Sequence, residues 1–148
     1  MRNMMLAMVW LLPAAALAES ATEASTREVM AYRFTESGLA RYAQGLRNLS
    51  GVKLNCDRST SSLVIDDAVR RLDSQPGVKS AIQSAGMSTR EYVLFSWAIP
   101  YNMIAATGAK EGGGAAPAGA QQANVDFFRQ HEAKFRELTT QASRLSCE

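Results

Sequence analysis

STREYVLFSWAIPYNMIAATGA, residues 88–109, is the stretch on which the fold turns. Its first four residues have the spacing of a capping box. Ser88 at the cap and Glu91 three positions on can each satisfy the other's backbone donor, the strongest helix-start signal in the chain. A helix is predicted from Thr89 to about Thr107, with Gly108 beyond it. From Tyr92 to Ala109 there is no charged residue. A helix apolar on every side is central in its domain, spans a membrane, or is buried against a partner. A span needs about 20 apolar residues, and here Ser96, Pro100, Asn102, Thr107 and Gly108 interrupt a shorter run. The expectation is a central core helix without stable membrane insertion.

Pro100 has a local consequence. It cannot donate to the carbonyl of Ser96, and its ring opens that turn, so a kink is expected. The freed carbonyl needs a partner, for which Asn102, Tyr101 or a water are the candidates. Ser96, Trp97, Tyr101 and Asn102 beside such a kink form the candidate ligand or interface site. An apolar pocket near Trp97, Pro100 and Tyr101 would suit a small-molecule carrier. Ordinary core and boundary packing is the competing role for the same side chains.

Working outward, Thr35-Glu36 reads as a cap with an acidic first turn. Leu39, Tyr42, Ala43, Leu46 and Leu49 then recur at helical spacing, and Ser50-Gly51 ends the run. Residues 52–60 read as a loop. Ser61 or Ser62 can cap a second helix with the stripe Ile65, Ala68, Val69 and Leu72. Pro76 suits the first position of a short third helix, which Gly86 closes in a left-handed conformation. Residues 108–121 are rich in Gly, Ala and Pro and read as a flexible loop. One last helix is expected from about Asn124 to Leu145. Residues 19–28 read as a flexible N-terminal tail and Val29–Phe34 as a brief extended stretch. The sum is an all-α fold, an irregular bundle of four to five helices forming a single domain over 29–148, with the two long helices antiparallel.

The N-terminus adds a compartment. Residues 1–18, MRNMMLAMVWLLPAAALA, combine Arg2, an apolar core from Met4 to Leu12, and the small-X-small pattern Ala16-Leu17-Ala18. That is the layout of a bacterial signal peptide cleaved after Ala18, which places the product in a periplasm or outside the cell. Cysteine usage agrees. Only Cys56 and Cys147 exist, and in an oxidising compartment such a pair is expected to form a disulfide. The chain-entropy model gives such a bridge, closing about 90 residues, roughly 4–5 kcal/mol as an upper figure.

Composition narrows the function. The 148 residues are 47% hydrophobic and 20% charged, with 16 basic and 14 acidic side chains, for a formal charge of +2. Loss of Arg2 with the leader makes it +1. Such a chain is neither a disordered polymer nor a strongly basic nucleic-acid binder. His131 is the sole histidine, and Phe135 stands where a zinc-protease helix needs a second. No nucleophile elbow or phosphate loop is present, and Asp66-Asp67 reads as helix-start charge. A Met103–His131 pair would resemble the haem ligands of exported four-helix cytochromes, but Cys-X-X-Cys-His is absent. Leu138-Thr139-Thr140-Gln141 is one residue short of the repeat of LTxxQ stress chaperones. No catalytic residue, cofactor or metal is therefore expected.

A broader likeness remains. QPGVKSAIQSAGMSTREYVLFSWAI at 75–99, then the Gly/Pro/Ala linker and NVDFFRQHEAKFREL at 124–138, resembles small exported bacterial proteins with no assigned activity. Pro76, Gly86, Ser88, Glu91 and Asn124 carry it. The resemblance implies helical architecture and no particular chemistry. The expected function is an exported non-enzymatic protein that binds a protein or cell-envelope partner, with the apolar carrier as the alternative.

Overall fold

The computed structural model describes residues 19–55, 62–108 and 121–145. The leader, Cys56, Cys147 and most of the Gly/Ala/Pro loop lie outside the described residues. Within them the fold is all-α, with seven helices rather than four to five. These are α1 (Ala21–Ala31), α2 (Glu36–Leu49), α3 (Ile65–Asp73), α4 (Val78–Ser84), α5 (Thr89–Gly108), α6 (Gln122–Gln130) and α7 (Glu132–Ser143).

The uncharged helix is the hub. α5 packs against α1, α2, α3, α4 and α6, while α7 turns to α2. Phe95 and Ala98 of α5 are 0% exposed. Phe95 anchors an aromatic cluster, with its ring centroid 4.4 Å from Tyr42 and 5.0 Å from Phe34. Phe135 continues it, 5.1 Å from Phe34 and 4.7 Å from Phe128. Four helices and the 32–35 connection therefore meet at one set of rings, each such pair adding about 0.5–1.5 kcal/mol beyond its buried area.

Two additional helices explain the larger count. Residues 21–31, expected as loose tail and extended stretch, form α1. Its start is a complete capping box, because Ser20 Oγ accepts from Glu23 N at 3.2 Å and the Glu23 carboxylate accepts from Ser20 N at 2.9 Å. Only Ser25 and Val29 of α1 are buried, so the segment lacks the periodic apolar stripe that reveals a helix. The final helix is divided at His131, whose φ of −111° and ψ of 21° interrupt it between α6 and α7. No Gly or Pro stands there. The break accompanies long-range contacts, with His131 Nε2 2.8 Å from Glu36 Oε1 and its ring 4.3 Å from Phe127.

Polar groups lock these joints. Ile65 N donates to Ser25 Oγ at 3.0 Å, so α1 supplies the cap that Val64 cannot give α3. Ser62 bonds Val64 N and Asp67 instead. Asn124, 2% exposed, accepts from Phe34 N at 3.0 Å and donates to the Tyr32 carbonyl at 2.6 Å. Arg90 reaches Glu28 and Asp66, both at 2.5 Å, joining α1, α3 and α5.

Pro76 does not open α4. Val78 N bonds to the Gln75 carbonyl at 3.3 Å and Gly77 has φ of 81°. That is a type II turn, which seats proline second and glycine third. Gly86 takes φ of 79°, the left-handed conformation expected of it. Ser88 caps α5 through Glu91 N at 3.0 Å. The Glu91 carboxylate, however, pairs with Arg41 at 2.7 Å.

Candidate functional site

α5 winds continuously through Pro100, and the residues around that proline border a concave surface. Residues 96, 97, 100 and 101 recur at one- and four-residue steps, within an arc of about 140° on an α-helix, so they share one broad face. Together with Thr26 and Val29 of α1, and Leu63 ahead of α3, they line a cleft of about 200 Å³. Toward α3 the cleft adjoins a space of about 400 Å³, which shares Leu63, Ser96 and Trp97 and adds Ala68, Leu72, Tyr92 and Val93. Beyond Pro100 a third space, of about 300 Å³, lies between Ile99, Met103, Tyr42 and Ala142. Ser96 borders all three.

The polar content is small. Ser96 Oγ lies 2.8 Å from the Tyr42 hydroxyl. Burial pushes the Tyr42 and Tyr92 phenols up from their ordinary range, so both stay protonated and neither serves as a base near neutrality. Thr26 contributes one further hydroxyl at the margin. What this surface offers a ligand is apolar area with a few hydroxyl contacts.

Asn102 does not join it. About 200° round the helix from Pro100, it is 4% exposed and donates from Nδ2 to the Ala98 carbonyl at 2.8 Å. It therefore bonds the carbonyl one turn before its own position and not the carbonyl freed at Ser96. Its Oδ1 is buried without a hydrogen-bond partner. Leu63, Thr26 and Val29 were not foreseen as part of the site. Leu63, 70% exposed, belongs to a Leu-Val-Ile run whose first member has no place on the α3 stripe, and that was the available signal.

No family model, curated protein or solved structure matches the chain. What the cleft does must be inferred from its own chemistry. His131, beside Glu36 and Phe127, and Met103, beside the Thr139–Ala142 face of α7, have different neighbours. Among the described residues no three His, Cys, Asp or Glu side chains are grouped to hold a metal ion. Among the same residues no helix is long and apolar enough to cross a membrane.

Proposed function

We propose that this is an exported, non-enzymatic binding protein whose α5 cleft receives the apolar part of a cell-envelope component. The observation that carries the proposal is the arrangement of side chains on the second half of α5. Ala98, Ala105 and Ala106 are at most 3% exposed, whereas Tyr101, Met103 and Ile104 are 37%, 39% and 57% exposed. Beyond Ile99, which is buried at 8% exposure, small residues face the core and large apolar ones face outward, beside a preformed concavity. Water-facing apolar surface of this kind marks a binding face. The leader at 1–18 and the Cys56–Cys147 pair support an exported setting.

The test is saturable binding of a neutral apolar fluorophore, N-phenyl-1-naphthylamine, to the full chain. One class of site is expected, strongly weakened by Trp97→Ala and by Leu63→Ser. Absence of saturable binding, or binding indifferent to both substitutions, would overturn the proposal.

A further inference from the structure

We infer that the ligand is an aliphatic alcohol, whose O–H donates to the Ser96 carbonyl while its chain lies beside Trp97. This rests on the cleft being a binding site and goes further by naming the class of molecule that fills it. The deciding atom is one that α5 itself leaves open. In an unbroken helix the N–H of residue 100 would bond the carbonyl of residue 96, and proline has no N–H to give. Asn102 does not replace it, because its Nδ2 donates to the Ala98 carbonyl. Pro100 is exposed, and with Ser96 it borders both the Trp97 cleft and the neighbouring space toward α7. The opened turn therefore lies where two apolar concavities meet and not in the core.

The other polar groups there have their hydrogens committed. Thr26 Oγ1 donates to the Thr22 carbonyl and Thr139 Oγ1 to the Phe135 carbonyl, each at 2.9 Å. Ser96 Oγ and the Tyr42 hydroxyl are 2.8 Å apart, one donating to the other. The Tyr101 phenol is exposed. Among the described residues no charged side chain lines either space. An open acceptor, committed donors and no charge together select a neutral hydrogen-bond donor on an apolar body. A bare hydrocarbon fits less well, because it would shield the carbonyl from water and return no hydrogen bond. A peptide segment fits less well too, since its many backbone donors and acceptors would meet few partners along Trp97. An anion would set its charge against a carbonyl oxygen.

Calorimetric titration of the full chain with decan-1-ol and with its isomer 1-methoxynonane, which accepts but cannot donate, tests the assignment. The alcohol should bind about three- to tenfold tighter than the ether, the net effect of one hydrogen bond. Pro100→Ala gives residue 100 an N–H that closes the helical bond to Ser96, and it removes a proline from a helix interior, so folding is not at risk. In that variant the ratio of the two affinities should fall to about one, whatever the lost ring does to both ligands alike. Pro100→Leu, which supplies the N–H and keeps apolar bulk, should give the same ratio. Decanoate, ionised near neutrality, should bind more weakly than the alcohol. Equal affinity for alcohol and ether in the wild type would overturn the assignment, and so would a preference for the alcohol that survives both substitutions. Decanoate binding tighter than the alcohol would overturn it in favour of an anionic head group. Binding of the neutral fluorophore without either linear ligand would overturn it while leaving the cleft intact. Failure of all of them would remove the cleft itself.

Discussion

From Thr89 to Phe95, α5 buries its large side chains, with Tyr92, Val93 and Phe95 all at 8% exposure or less. From Ser96 to Gly108 the helix buries Ile99, alanines and Asn102 and shows Tyr101, Met103 and Ile104. Past Arg90 and Glu91 in the first turn, neither half carries a charged residue. The difference lies in what is packed around them. The first half is enclosed by rings from α2 and the 32–35 connection, and its start is tied down through Thr89 and Arg90. Around the second, α1 and Leu63 leave a gap. An uncharged helix can therefore be structural along one part and available for binding along the next, and only tertiary neighbours decide which.

Substitutions should separate the halves. Phe95→Ala, emptying the centre of the aromatic cluster, should cost about 3–5 kcal/mol, measured by urea unfolding. A loss under about 1 kcal/mol would mean that the first half is not core. Asn124→Ala leaves Phe34 N and the Tyr32 carbonyl unmet in a buried joint, and about 1–3 kcal/mol should be lost. Thr89→Val tests the tie at the start of α5. The Thr89 hydroxyl, 2.5 Å from Asp73 Oδ1, is the main cause holding that carboxyl below its ordinary range, with Lys79 assisting. A folded pKa below the unfolded one gives stability that is present above about pH 4 and lost as pH falls through the folded value. Urea midpoints of wild type and Thr89→Val should therefore differ near neutrality and converge in acid. A gap independent of pH would contradict the assignment. The smallest effect belongs to the second half, where Ile104→Lys should change stability by no more than about 0.5 kcal/mol. A larger loss would show that Ile104 is packed.

Much of this was visible in the sequence because it is encoded locally. The stripe from Leu39 to Leu49 gave α2, the Ser88 cap and the uncharged run gave α5, and Gly86 announced its positive φ. Ser20-Ala-Thr-Glu23 has the same box spacing as Ser88–Glu91 and was equally visible. No apolar stripe follows it, because α1 shows the core only Ser25 and Val29. The box at Ser20 closes fully, while Glu91 is diverted to Arg41, 50 positions back in the chain. The pause at His131 had no local cause to find, since Glu36 lies in another helix. The α5 side of the cleft followed from helical spacing around Pro100. Its other wall comes from α1 and Leu63, which no periodicity links to α5, and Asn102 was misplaced by nearness in sequence to residues on the opposite face.

The central claim is that the gap beside Trp97 takes up an apolar chain. The full chain carrying Trp10→Phe makes Trp97 the sole tryptophan. Its fluorescence can then be titrated with 10-bromodecan-1-ol, whose bromine quenches at contact range. Saturable quenching of Trp97, reversed by competing decanoate, is the predicted result. Emission that falls only linearly with the bromoalcohol, unaffected by decanoate, would contradict it.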